Sequence, residues 1–498
     1  MVSIYMLSYN TNSIDVSELQ TTIKNLILRN TQLEEMLRLL RGERFGKSSE
    51  KLNEEQLRLF NLPVEEKTPD IETSTEKIAG YDRKKGGRKK LPPELERVRV
   101  THDLKPEEKQ CPCGCGEMEK IGEEVSEKLD IIPSEFRVIQ DVRFKYACKK
   151  CSEGVYIAEL PEQIIPKSNA TPNLLAHIAI SKFEDALPLN RQTKIFKRYG
   201  FELSRGTMAT WMIHIGKKIQ PIINLIQEHI IDSSYIGIDE TKIQVLKEKD
   251  RKADNLSYMW VMRGGPPGKT ATIFYYDPHR NQEVLKKLIE GFKGYLQCDG
   301  LQIYNVVESN QDIRLLGCFA HARRYFHKAL KSAFNKDSIA FKTLEFIRKL
   351  YKIESEIKEQ TAEERYKRRQ AESNIILNEL KTWLDDVIIK VPPQSLTGDA
   401  LHYLNSRWKY LIRYIEDGNL LIDNNAVENA IRPFVIGRKN WLFCDTPEGA
   451  YANSNLYTLI ETAKNNKLDP FNYLSLVFNK LPSAKTLQDY ENLLPWNL

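Results

Sequence analysis

Apolar positions near the N-terminus fall at alternating steps of three and four residues: Val16, Leu19, Ile23, Leu26, Leu33, Leu37 and Leu40, with Asn30 inside the series. Heptad spacing of this kind predicts an amphipathic helix with a narrow apolar seam, suited to a two-stranded coiled coil over residues 14–52. Asn30 falls at an a position, where a buried amide pairs with its twin and fixes the register of a parallel dimer. A helix packed on its own protein would show the same seam.

The pattern lapses over residues 62–93, which are rich in Glu, Lys, Thr, Pro and Gly and predict a flexible linker. Within it Arg83, Lys84, Lys85, Arg88, Lys89 and Lys90 form a basic run that can neutralise phosphates, or be only a solvated tether. A β-rich stretch follows, and helical periodicity returns after Pro172. There NRQTKIFKRYG reads as one helix, Gly200 as a turn, and ELSRGTMATWM as a second helix capped by Ser204. Residues 165–230 could thus form a helix-turn-helix that offers Arg205, Thr207 and Thr210 to DNA, or an ordinary helical hairpin.

From Ser234 the period changes to that of strands. YIGIDETKIQVL, SYMWVMRG and TATIFYYD read as three strands with hairpin-like connections, NQEVLKKLIEGF as a helix, GYLQCDG as a fourth strand, and RLLGCFAHARRYF as a fifth strand running into a helix. This order is the ribonuclease H-like plan, placed at residues 231–445 with a charge-laced helical insertion at about 327–420 and a helical tail at 446–498. The fold class expected is α/β and multi-domain: this core, preceded by the coiled coil, a small zinc-binding β module at 94–160 and the helical region.

Composition narrows the chemistry. A chain of 498 residues with 41% hydrophobic and 29% charged residues can bury several cores, and it contains no run of about 18 apolar residues that would span a bilayer. The opening lacks the basic segment of a secretory signal, so a reducing cytoplasm is the expected setting and clustered cysteines are read as metal ligands first. Cys111, Cys113 and Cys115, then Cys148 and Cys151, have the spacing of a zinc ribbon, with four of the five thiolates around one Zn²⁺. Cys298, Cys318 and Cys444 stand alone and read as small buried hydrophobes. The net charge of +6 permits nucleic acid as a partner without requiring it.

Three acids fall at informative places. Asp239 lies in the first strand, Asp299 at the end of the fourth, and Glu428 on a late helix rich in cations, within LLIDNNAVENAIRPFVIGRKNWLF. Carboxylates delivered this way can hold two divalent ions for phosphodiester chemistry. Glu240 is expected on the opposite strand face, and Asp423 at the turn that opens the Glu428 helix. His321, Arg323 and Arg324 in AHARR, with Arg432, Arg438 and Lys439 after Glu428, are candidate phosphate contacts; a salt bridge between Glu428 and Arg432 is the plainer alternative.

The segments DET at 239–241, CDGLQIYN, GCFAHARRYF, IDNNAVENAIRPFVIGRKNWLF, LYTLIETAKNNKLDPFNYL and LLPWNL together resemble transposases of the insertion-sequence 66 family, across nearly the whole chain. Asn429, Phe319 and Leu301 depart from that family's usual Arg, Trp and Tyr. The resemblance implies a bacterial DDE transposase using Asp239, Asp299 and Glu428 with two Mg²⁺ or Mn²⁺ ions, associated with the nucleoid. It also implies binding of element ends and target DNA, a homo-oligomer joined through the coiled coil, and accessory proteins from the same element. A ribonuclease H-like nuclease without strand transfer and a non-catalytic zinc-ribbon regulator are the alternatives.

Overall fold

The computed structural model describes residues 16–45, 135–147, 155–332 and 337–498. The basic run from Arg83 to Lys90 and the five clustered cysteines lie outside the described residues. The chain divides into two units, residues 1–64 with 159–498, and residues 65–158. In the smaller unit β1 (Lys145–Ala147) and β2 (Val155–Ile157) pair antiparallel, Tyr146 opposite Tyr156.

Helix α1 spans Val16–Phe45, and Ile23, Leu26, Leu33 and Leu37 on its seam are 54%, 58%, 49% and 54% exposed. Gln32 of α1 donates to the carbonyl of Ile389 at 3.3 Å. Four helices follow the smaller unit: α2 (Pro172–Phe183), α3 (Leu189–Arg198), α4 (Arg205–Lys218) and α5 (Gln220–Ile231). Between α3 and α4 the chain turns at Gly200, whose φ of +90° suits a residue without Cβ. Ser204 caps α4 by accepting the Thr207 N–H at 3.0 Å.

One five-stranded mixed sheet lies at the centre of a mainly helical unit. Its strands are β3 (Tyr235–Gln244), β4 (Leu256–Gly264), β5 (Ala271–Asp277), β6 (Gly294–Gln297) and β7 (Ile313–Leu316), with α6 (Gln282–Leu288) between β5 and β6. The order across the sheet is β5-β4-β3-β6-β7. The first three strands are antiparallel, as their hairpin spacing predicts, and β6 and β7 run parallel to β3.

After β7 come α7 (Phe319–Ser332), α8 (Ile339–Glu356), α9 (Ala362–Arg368), α10 (Asn374–Val387), α11 (Leu396–Ser406) and α12 (Trp408–Leu411). They enclose a hydrophobic core of their own, in which Phe319, Phe326, Ile347, Leu380 and Leu401 are buried. The charge run here is not wholly solvated. Arg369 is 1% exposed, clamps Glu354 at 2.6 and 2.9 Å, and donates to the carbonyls of Tyr414, Asp417 and Leu420. A buried guanidinium needs this full set of acceptors, since an unpaired charge in a core is costly.

The chain then returns to the sheet through α13 (Asn425–Trp441), α14 (Pro447–Asn465), α15 (Pro470–Lys480) and α16 (Leu487–Glu491). Helix α14 closes the open edge of β5. The Thr458 and Thr462 hydroxyls accept the N–H groups of Phe274 and Thr272 at 2.9 and 3.2 Å, donors that an edge strand otherwise leaves bare. On another face α14 meets α4 so closely that a Cβ on Gly216 would stand 2.7 Å from Ala452.

Candidate active site

Gly237 of β3 lies opposite Gln297 of β6 in the parallel ladder. Carrying that register two residues further sets Asp239 against Asp299, just past the end of β6, and in-register residues of parallel neighbours share a face. Glu428 arrives from the first turn of α13. The approach of α13 depends on Gly237: a Cβ there would stand 2.6 Å from Val427 and 2.7 Å from the Asn424 side-chain oxygen. Asn424 fastens the contact by donating its Nδ2 to the Ile238 carbonyl at 2.9 Å.

Asp239 feels the neighbouring acids. Burial first, then the charges of Glu240, Asp299 and Glu428, push the Asp239 carboxyl up to about 8, against a backbone hydrogen bond from Glu240 that favours the anion. Asp299 takes the N–H of Leu301 on its Oδ1 at 3.0 Å, and its carbonyl accepts the Tyr403 hydroxyl at 2.8 Å. Gly300, at φ +89°, makes the turn beneath Tyr403 and Arg407. Glu428 has a guanidinium and an imidazole beside it. Arg324 Nη2 lies 3.0 and 3.3 Å from its two oxygens, and His321 Nδ1 lies 3.7 Å from Oε1. Burial, and then the neighbouring Arg324, lower the His321 pKa below its ordinary value.

Other expected residues are distributed around this centre. Arg438 donates to Thr241 Oγ1 at 3.2 Å, two residues beyond Asp239. Arg323 stacks on Tyr351, 4.7 Å from the ring centre, and Tyr351 donates to Asp423 at 2.7 Å. Asp423 also accepts from Asn425 through both backbone and side chain, at 3.1 and 2.8 Å, which makes it a turn residue. Arg432 and Lys439 are exposed on α13, while Arg205, Thr207 and Thr210 are exposed on the first turns of α4. Glu240, 3% exposed in its side chain, is held by Tyr304 at 2.7 Å and Arg280 at 3.3 Å.

Asn424, Tyr304 and Tyr403 were not anticipated, because hydrogen-bonding residues carry no periodic signal. A glycine between Ile236 and Ile238, interrupting a strand pattern, is a readable sign that backbone or ligand comes close. Of the three departures from the family pattern, Phe319 is buried against Tyr414, Leu301 supplies the N–H that Asp299 accepts, and Asn429 is exposed.

The profile described as "Transposase IS66 family" matches residues 167–452, more than half of the chain. The chain belongs to the IS66 family of transposases. Three further profiles match: the zinc-finger binding domain of transposase IS66 at 108–152, one described as "Transposase C of IS166 homeodomain" at 32–100, and the IS66 C-terminal element at 458–496. Two uncharacterized proteins of Sinorhizobium fredii are similar. To y4qI the chain is 32% identical over 97% of its own length and 92% of that protein, and to y4hP 30% identical over 93% and 87%. Among the described residues no helix is long and apolar enough to cross a membrane.

Proposed function

We propose that this IS66 transposase binds the ends of its element and cuts and joins DNA at a DDE site of Asp239, Asp299 and Glu428. What carries the reading is placement: the β3–β6 register carried forward sets Asp239 against Asp299, and Glu428 stands in the first turn of α13, which packs on β3 at Gly237. Three antiparallel strands followed by two parallel ones, in the order β5-β4-β3-β6-β7, support a ribonuclease H-like core at 231–445.

The donor set fits hard divalent ions. Asp239 is mostly buried and the charges that raise it are other carboxylates, so a cation would relieve their repulsion. Mg²⁺ or Mn²⁺, two ions when bound, would supply an activated water and charge stabilisation for the leaving 3′ oxygen. The residues of the chain do the rest. Gly237 and Asn424 hold α13 against β3 and thereby fix where Glu428 stands. Arg324, Arg432, Arg438 and Lys439, with His321 and Arg323, supply donors for phosphates around the acids. Hydrolysis leaves a 3′-hydroxyl at the element end, whose oxygen then attacks a target phosphodiester and displaces the target's own 3′ oxygen.

End binding falls to the N-terminal modules: the linker 62–93 with its basic run, a zinc module at 94–160 built on four of the five clustered cysteines, and the α3–α4 turn at 165–230. Its exposed Arg205, Thr207 and Thr210 support that last role. The half-exposed apolar seam of α1 supports a coiled-coil dimer over 14–52. The insertion at 327–420 and the segment 446–498 complete the chain, which works in the bacterial cytoplasm on nucleoid DNA together with proteins of its own element. The test is incubation of the full chain with end-containing DNA, a target plasmid and Mg²⁺ or Mn²⁺. Joined products that vanish in Asp239→Asn, Asp299→Asn and Glu428→Gln are expected. Nicked ends that never join would leave a nuclease, and unchanged processing in all three variants would leave a DNA-binding regulator.

A further inference from the structure

Cys318 does more than fill space. Its thiol is buried where β7 runs into α7, and His321 follows one helical turn later, its N–H bonded to the Cys318 carbonyl at 3.2 Å. Ligand atoms of Cys318, His321 and Glu428 all lie within 4.8 Å of one another. The His321 Nδ1 is enclosed and has no hydrogen-bond partner. The Cys318 Sγ already accepts the backbone N–H of Asn424 at 3.2 Å, the kind of outer contact that steadies a metal-bound thiolate.

A thiol, an imidazole and a carboxylate differ in kind from the all-oxygen set of Asp239 and Asp299. Sulfur and nitrogen donors favour Zn²⁺ and related ions, whereas Mg²⁺ requires oxygen. Tetrahedral zinc holds its ligand atoms about 3–4 Å apart and leaves a fourth position for water; His321 Nδ1 and Glu428 Oε1 are already 3.7 Å apart.

We propose that Cys318, His321 and Glu428 form a second cation site, selective for Zn²⁺, whose occupation draws Glu428 away from Asp239 and Asp299 and silences the carboxylate site. Binding replaces the thiol proton, which passes to solvent, and frees Nδ1 to coordinate as the ring proton moves to Nε2. Arg324 is the present occupant: it lies on both Glu428 oxygens and 3.2 Å from His321 Nε2, and it must swing out to solvent, where it is already 61% exposed. The silencing rests on the catalytic reading of Glu428. The binding does not.

The experiment uses the full chain with Zn²⁺ as the probe, titrated calorimetrically, with bound zinc counted by elemental analysis after dialysis. Cys148→Ser with Cys151→Ser removes the zinc-module ion from the count. In that background, retention of about one zinc is expected, lost in Cys318→Ser. Arg324→Gln is expected to bind this zinc roughly tenfold more tightly, a gain that misfolding cannot imitate. Equal zinc content and affinity with and without the Cys318 thiol, or weaker binding in Arg324→Gln, would overturn the site. Zinc that binds there yet leaves Mn²⁺-supported DNA cutting unchanged would overturn the silencing alone. A chain that binds zinc as expected but never cuts DNA would sink the catalytic reading and leave the site standing.

Discussion

Asp239 and Asp299 come from strands and Glu428 comes from a helix, and the two routes leave the acids in different electrical surroundings. The strand acids are fixed by backbone: the β3–β6 ladder aligns them, and the Asp299 turn is held by Leu301 and Tyr403. Around Asp239 the burial and neighbouring acids favour the protonated form. Glu428 is positioned by helix packing on Gly237 and already has Arg324 and His321 as neighbours. On the proposed reading, the strand half of the site still calls for cations, whereas the helix half already holds one in Arg324.

Divalent-ion affinity separates the halves most strongly. Calorimetry with Mn²⁺ should show Asp239→Asn or Asp299→Asn weakening binding by roughly a hundredfold, and Glu428→Gln by roughly tenfold, because Arg324 already competes there. Equal losses would erase the distinction. Next in size is the packing of α13. Gly237→Ala sets a methyl against Val427 and Asn424 and should destabilise the protein by about 2–3 kcal/mol in denaturant unfolding, with Gly268→Ala as a control that has open space but a strained φ.

A pH series gives a smaller effect of definite sign. Asp239 titrates near 8 in the fold and near its ordinary value when unfolded, so the protonated form stabilises fully below that ordinary value and the stabilisation is lost as pH rises toward about 8. Metal-free Asp239→Asn should therefore melt about 2–5 °C above the parent at pH 8, and the gap should shrink by pH 5. Added Mn²⁺ should reverse the order at pH 8. A gap independent of pH would mean that Asp239 is ionised in the metal-free fold. The smallest effect is at the neighbouring strand position: Tyr304→Phe removes one of the two donors to Glu240 and should cost about 1 kcal/mol in thermal unfolding, without altering Mn²⁺ affinity.

Much of this was legible in the chain. Alternating residues predicted the three antiparallel strands, and the Gly200 turn and Ser204 cap announced α3 and α4; of the three acids expected at element ends, Asp299 follows β6 and Glu428 opens α13, but Asp239 lies in the middle of β3. The contents of the insertion were less legible. A run of Lys, Arg and Glu reads as solvated surface, yet Arg369 in its midst is buried by carbonyls from Tyr414, Asp417 and Leu420, 45 to 51 residues away. Nothing local marks one cation of such a run for the core. The pairing of Thr458 and Thr462 with β5 was hidden for the same reason, since a threonine on a helix looks alike whether it meets water or a strand edge.

What the sequence determined by itself is what periodicity and residue type can encode, namely which segments are strands or helices and which of them carry the acids; the resemblance to a transposase came from its motifs. Which partners those acids meet was decided by tertiary structure. Side-chain period is local, whereas the contacts of Glu428 with Arg324 and of Asn424 with β3 join residues 104 and 186 positions apart. The packing of α13 onto Gly237 brings Glu428 to the Cys318 thiol and the His321 imidazole and lets its charge act on Asp239, because charge and hydrogen bonding act over a few ångströms and take no account of distance along the chain.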